Sequence, residues 1–337
     1  MRITKFRVLN GEIDIKRLFI LTALILTVVA AYYFISKYSM KSTGSEELVA
    51  ISKADREDLD VSKREYSSWA YRALLDDFTF RKDINYQLKI AILDSGIDGK
   101  HPDLAGRIKK EYNAIDNNNS VKDEFGHGTA VAGIIAANHN DKGIKGINPL
   151  AAIYSVKVSN GKGVSEVASL VRGIEWCIKE KVHIMNISLG LSRNSEELKR
   201  AINKAIKAGI VVVAAAGNNY MTWTDYPAQY PKVISVNAVK HDYAVDETYA
   251  GYGKIDVAAP GEAILTTVPG GGYKVFSGTS IATAYITGMV SLIMSENEAK
   301  LRSMEGESRV DETLSLLKRK AIPLGEEKSY GMGFVKY

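Results

Sequence analysis

A chain of 337 residues, 46% of them hydrophobic and 25% charged, has enough apolar side chain to bury a full-sized core, which excludes a largely disordered chain. The formal charge of +5 comes from lysines and arginines scattered through helical stretches such as 196–207, so the clustered basic stripe of a nucleic-acid surface is not expected. Cys177 is the only cysteine, which rules out an intrachain disulfide; it falls on an expected helix and is expected to pack there.

Residues 18–35 carry no charge and follow Lys16 and Arg17. Crossing a bilayer takes about 20 apolar residues, and this run is just long enough. Lysine and arginine dominate residues 1–17, which assigns that end to the cytoplasm and the remainder to the outside. The expectation is one transmembrane helix acting as an uncleaved cell-membrane anchor, with Tyr32, Tyr33 and Phe34 at its interfacial edge. The competing reading is a cleaved signal peptide ending near Val28 and Ala30, which would give a secreted protein. Residues 36–68 are polar and charged and read as a linker or short pro-segment, and 69–337 as one globular domain.

Within that domain, apolar runs suited to strands lie at 88–93, 152–158, 183–187, 210–214, 232–239 and 255–258. Helical patterns lie between them at 127–137, 165–179 and 195–208. A buried helix begins near Thr279, with Ile281, Ala284, Ile286 and Met289 at its apolar positions, and a last helix runs near 310–320. This alternation predicts an α/β fold with a mainly parallel sheet and helices on both faces. Functional groups in such folds gather at the carboxyl ends of the strands.

Three residues fall at such places. Asp94 directly follows the 88–93 strand, His127 opens a helix between two glycines, and Ser280 sits at the start of the helix from Thr279. Each alone has a plain alternative: a turn residue, a structural histidine, an N-cap serine. Together they supply a nucleophile, a base and an acid to orient the base.

Those residues stand in Asp94-Ser95-Gly96-Ile97-Asp98, Gly126-His127-Gly128-Thr129 and Gly278-Thr279-Ser280-Ile281-Ala282-Thr283. In that order the motifs resemble the subtilisin family of serine peptidases (peptidase S8), from about Trp69 to the end of the chain. The resemblance implies the subtilisin-like three-layer fold and serine endopeptidase chemistry. Asn218, after the valine strand and Ala214-Ala215-Ala216-Gly217, matches the family's side-chain donor to the oxyanion. Ser188, Leu189 and Gly190 would be the edge on which a peptide or protein substrate pairs in extended form, with Ala216 and Gly217 beside it and 163–165 on the substrate's other flank. Leu191 replaces the family's second glycine there, which leaves the pairing possible.

Asp225 takes a position that the family fills with a small residue, at the floor of the pocket for the side chain before the cut. That implies cleavage after Arg or Lys; a turn cap before Pro227 is the alternative. The stretch 138–144 resembles the family's calcium loop, and the implied ligands are the side chains of Asp103 and Asn140 with carbonyls of Asn138, Lys142 and Ile144. No organic cofactor is expected. Similarity to small processing subtilisins suggests removal of a leader from a secreted peptide such as a lantibiotic. Two features depart from the family: residues 36–80 are short for its folding pro-domain, and Ala284 and Tyr285 stand where it has Pro and His. The rival readings are a catalytically silent membrane-bound peptide binder and an acyl-transferring peptide ligase.

Overall fold

The computed structural model describes residues 7–8, 11–12, 61, 64–75, 87–116 and 120–337. The chain forms two units, Met1–Lys53 and Ala54–Tyr337. The described part of the first is an antiparallel pair, β1 (Arg7–Val8) with β2 (Gly11–Glu12). The expected membrane segment at 18–35 lies outside the described residues, as does most of 36–68. Among the described residues no helix is long and apolar enough to cross a membrane.

The second unit begins its regular structure with α1 (Trp69–Leu75), β3 (Lys89–Asp94), β4 (Ile108–Asn113), α2 (His127–Ala136) and β5 (Ala152–Lys157). Then come α3 (Val167–Glu180), β6 (Ile184–Ile187), α4 (Glu196–Lys207), β7 (Val211–Ala215), β8 (Thr222–Trp223), β9 (Ile234–Val239), β10 (Gly251–Tyr252) and β11 (Val257–Pro260). The chain closes with β12 (Ile264–Val268), β13 (Gly272–Phe276), α5 (Thr279–Glu296), α6 (Glu298–Arg302), α7 (Glu307–Arg319), β14 (Ala321–Ile322), α8 (Glu327–Tyr330) and β15 (Phe334–Val335).

Nine strands make one sheet in the order β14-β15-β11-β9-β7-β6-β3-β5-β4, parallel except for β14 against β15. Every residue of β5, β6, β7 and β9 is buried, as a parallel sheet covered on both faces requires. The two covers can be assigned from register. Leu93 is level with Ile187, and a Cβ added to Gly173 of α3 would lie 3.5 Å from Leu93, so α3 covers that face. Asn186 is one residue out of step with Ile187 and points to the other face, where it accepts a hydrogen bond from Thr287 of α5 at 2.8 Å. The expected three-layer arrangement follows.

From β3 the chain moves to one side of the sheet, to β4 and back to β5; from β6 it moves to the other, to β7 and β9. Between β3 and β6 the connections therefore part. Such a division opens a crevice at the carboxyl ends of the strands.

Residues 64–68, which composition leaves in the linker, are tied to the domain body. Tyr66 N–H donates to Gly143 O at 2.7 Å, Lys145 N–H donates to Tyr66 O at 3.1 Å, and Ser68 Oγ bonds the buried Tyr285 hydroxyl at 2.8 Å. The last contact gives a partner to the hydroxyl of Tyr285, the residue that stands where the resemblance expects histidine.

Candidate active site

Asp94 ends β3, and its carboxylate receives His127 Nδ1 at 2.8 Å on one oxygen and 2.9 Å on the other. The Ser95 N–H donates to Oδ1 at 2.8 Å, which leaves the carboxylate a firm acceptor for the ring. His127 opens α2. Its neighbour Gly128 has to be a glycine, because a Cβ there would come within 2.1 Å of the Gly96 carbonyl. That close approach brings the imidazole to the end of β3. Burial by itself would lower the His127 pKa, but the Asp94 carboxylate and its hydrogen bond, with Asp123 behind, outweigh it, and the net shift is upward.

Asp123 was not foreseen from the sequence. It is buried and accepts from the N–H groups of Gly126 (2.7 Å) and Thr129 (2.9 Å) and from Ser95 Oγ (2.8 Å), so it fixes the start of α2 against the end of β3. A carboxylate at a helix N-terminus is also favoured by the helix dipole. The sequence signal for it was an acid four residues before the helix-opening histidine.

Ser280 is the second residue of α5, so its N–H has no acceptor within the helix. Its hydroxyl donates to Ser188 O at 2.9 Å rather than to His127, and that bond has to be given up before it donates to the ring. Ser188 is in turn held by Asn186 Nδ2 at 2.8 Å. Gly278 has φ 134°, and a Cβ on it would come within 3.1 Å of the Asn218 amide, so the turn into α5 and the seat of Asn218 depend on the same glycine.

Asn218 Oδ1 accepts from both Thr279 N (3.0 Å) and Thr279 Oγ1 (2.9 Å). A backbone N–H can only donate, so the amide's oxygen faces Thr279 and its Nδ2 is left free to donate elsewhere. Thr279 is thus an orienting residue that sequence reasoning passed over.

Asp94, His127, Ser188, Leu189, Gly190, Gly217, Asn218, Asp225 and Ser280 all line one cavity of about 260 Å³. Ala216 lies just behind it and is buried; its carbonyl accepts the Asp225 N–H at 2.8 Å. Asp225 is drawn in by the paired hydrogen bonds of Leu191 with Tyr226, at 2.8 and 2.9 Å. Its carboxylate comes within 2.5 Å of the places that a Cβ on Gly190 or on Gly217 would occupy, so two glycines make the slot and an acid closes it. Burial raises the Asp225 pKa, with a hydrogen bond from Asn219 pulling the other way.

The loop expected to hold calcium wraps Asp103, which is buried. Ile144 N–H (2.9 Å) and the Tyr273 hydroxyl (3.1 Å) donate to Oδ2, and Gly143 packs directly on the carboxylate. Burial raises the Asp103 pKa against those hydrogen bonds. Asn138 Nδ2 donates to Ala105 O at 3.0 Å, and Asn140 Oδ1 accepts from Lys142 N at 3.4 Å. Glu65, unforeseen, accepts from Asn140 N at 2.9 Å and pairs with Lys145 at 3.2 Å. Among the described residues no three His, Cys, Asp or Glu side chains group as a metal cluster. The implied ligands, the buried Asp103 carboxylate with the Asn140 amide and the loop carbonyls, are hard oxygens of the kind calcium takes, while the groups seen on the carboxylate itself are the Ile144 N–H and the Tyr273 hydroxyl.

A family model described as the subtilase family matches residues 86–333. Among curated relatives, an intracellular serine protease of Paenibacillus polymyxa is 39% identical over 258 residues, 74% of this chain and 78% of that protein. Subtilisin amylosacchariticus of Bacillus subtilis subsp. amylosacchariticus is 37% identical over 252 residues, and the match spans 64% of its length. A thermostable alkaline protease of Halalkalibacterium halodurans is 38% identical over 248 residues, 65% of its length. With the strand order, the Asp94–His127 pair and the helix-start serine already in one cleft, these matches give a single conclusion: the chain belongs to the subtilase family.

Proposed function

We propose that the protein is a serine endopeptidase that cuts peptide bonds after Arg or Lys. The observation that carries the chemistry is the doubly hydrogen-bonded Asp94–His127 pair sharing a cleft with Ser280 and Asn218. Ser280 Oγ attacks the carbonyl carbon as its proton passes to His127 Nε2. Asp94 holds the Nδ1 proton and stabilises the imidazolium. The tetrahedral oxyanion is met by Asn218 Nδ2 and the Ser280 N–H. The amine then leaves with the proton from His127, and water repeats the sequence in reverse to free Ser280. Support for the basic preference is the Asp225 carboxylate between Gly190 and Gly217, which an Arg or Lys head would neutralise and an uncharged side chain would leave with the Asn219 hydrogen bond and no cationic partner.

Calcium belongs to this reading as a structural ion held by Asp103, Asn140 and the carbonyls of Asn138, Lys142 and Ile144. The protein would sit on the membrane through residues 18–35, with the peptidase outside, processing a secreted peptide precursor; the charge-free run behind Lys16 and Arg17 supports the anchor. A fluorophosphonate that labels wild type and not Ser280→Ala, together with matched peptides bearing Arg, Lys, Leu or Phe before the cut, tests the enzyme and its preference. Labelling without cleavage of any peptide would favour the silent binder. Cell fractionation with externally added protease tests the anchor, and a soluble enzyme beginning at Ala31 would replace it with a signal peptide.

A further inference from the structure

At the carboxyl end of β5, level with Asp94, the sheet carries a lysine that the chemistry above does not use. Val156 and Val158 on either side of it face Gly173 of α3, so Lys157 leaves the sheet on the opposite side, the side of Asp94 and α2. It is 5% exposed. Its ammonium donates to Ser95 O at 3.0 Å and to Lys122 O at 2.6 Å. Ser95 follows Asp94 and Lys122 precedes Asp123, so one side chain ties together the two segments that carry the buried carboxylates behind His127. Those segments run in close contact, since a Cβ on Gly96 would come within 2.3 Å of Val121 O.

A buried ammonium is tolerated only where hydrogen bonds and negative charge make up for the water it has lost. The two carbonyls that Lys157 bonds are neutral, and the Glu124 carboxylate stands 3.7 Å away on a side chain that is 61% exposed. The buried negative charge nearest in the chain to those carbonyls is that of Asp94 and Asp123. The relation is reciprocal, because the same ammonium offsets the field in which the imidazole titrates. The charged groups that face His127 are Asp94 from β3, Asp123 from the turn before α2 and, across the cleft, Asp225; α5 presents the uncharged Ser280. Lys157 adds a buried cation behind the first two.

We propose that Lys157 is a positioning residue that acts through Asp94: it holds the Asp94 and Asp123 segments together and supplies the positive charge that keeps their carboxylates from locking His127 in its protonated, inactive form. The inference rests on the peptidase reading above and deepens it with a residue that touches neither the substrate nor the reacting atoms.

The test is the pH profile of kcat/KM on one peptide with Arg before the cut, for the full chain as wild type, Lys157→Met, Lys157→Gln and Lys157→Arg. Losing the positive charge favours the imidazolium, and the base works only when neutral. The acid limb of Lys157→Met should therefore move up by about half a pH unit, the scale of one unit charge acting through partly aqueous surroundings. Lys157→Gln keeps donors for the two carbonyls without the charge and should move the limb in the same direction. Lys157→Arg keeps the charge and should leave the limb in place, and it carries the test where a neutral variant does not fold. A lysine that only braces the fold gives the opposite sign, because loosening Asp94 weakens its hold on the ring and moves the limb down. A limb unmoved or lowered in the neutral variants overturns the proposal, as does a limb shifted in Lys157→Arg. NMR of the His127 ring reads the same titration without turnover. Wild type that cuts no peptide would overturn the peptidase reading, while the ring titration in the variants still decides the role of Lys157.

Discussion

At the scale of single residues, the upward shift of His127 fixes the sign of the pH dependence. The imidazole accepts a proton only when neutral, and Asp94 holds the charged form, so kcat/KM should fall as pH drops through a value above that of an ordinary histidine. Asp94→Asn should cut kcat by about ten-thousandfold and move that limb downward, which a pH–rate profile would read. Asp225 gives a second, separable pH effect. Its carboxyl is held above the ordinary range by burial, and protonation removes the charge that would pair with arginine. The Arg-to-Leu preference of kcat/KM should therefore shrink as pH falls through that raised pKa, while Asp225→Ser should show a small preference at every pH. Asn218→Ala should lower kcat by about a hundredfold or more with little change in KM, the size found for such a donor in subtilisin; an equal rise in KM would mean the amide holds the ground state instead.

At the scale of elements, the helix starts decide the site. Asp123 joins the end of β3 to the first turn of α2 through Ser95, Gly126 and Thr129. Asp123→Ala leaves those buried donors unmatched and should cost about 2 to 3 kcal/mol in denaturant unfolding, with kcat falling as His127 loses its seat. These details were hidden in the sequence for a definable reason. The central strands were legible because each is a short, mainly apolar run: the expected 210–214 is β7 (Val211–Ala215), and 183–187 is β6 (Ile184–Ile187), whereas β4, with Lys109, Lys110 and Glu111 in it, was not. Ser195, expected as a helical residue, is the N-cap of α4 and accepts from Leu198 N. Motif spacing exposed Asp94, His127, Ser280 and Asn218. Thr279, Asp123 and Lys157 depend on contacts between segments distant in the chain or on the aim of a side chain, and periodicity carries neither.

The hairpin of β12 with β13 was missed altogether, because β13 (Gly272–Phe276) opens with glycine and is only partly buried, without the apolar run of a core strand. It nonetheless delivers the chain to Gly278, and its Tyr273 hydroxyl reaches Asp103 at 3.1 Å. If calcium binds the loop beside Asp103, chelation should lower the melting temperature of wild type more than that of Asn140→Ala, since a ligand of the folded state alone stabilises by mass action. Equal lowering in both would remove Asn140 from the site.

At the scale of the whole molecule, the subtilase domain starts before its first helix. Glu65, Tyr66 and Ser68 bond the 140–145 loop and Tyr285, so a chain beginning at Trp69 leaves the Tyr285 hydroxyl buried without its partner. That loss is worth about 1 to 3 kcal/mol, a drop of several degrees in melting temperature for a domain of this size. Calorimetry of the chain beginning at Val61 against the one beginning at Trp69 measures it, and Ser68→Ala should reproduce part of the drop. Equal melting temperatures would make those residues a passive connection.

The helix bearing Ser280 runs through the middle of the core and is buried along nearly its whole length. Asp94 and His127 lie far earlier in the chain, so during synthesis the acid and the base emerge long before the nucleophile. A ribosome-bound fragment that ends before α5 has the acid and the base but no nucleophile, because Ser280 is made only after the strands from β3 to β13. The order of residues along the chain thereby sets a delay between the making of the base and the making of the nucleophile.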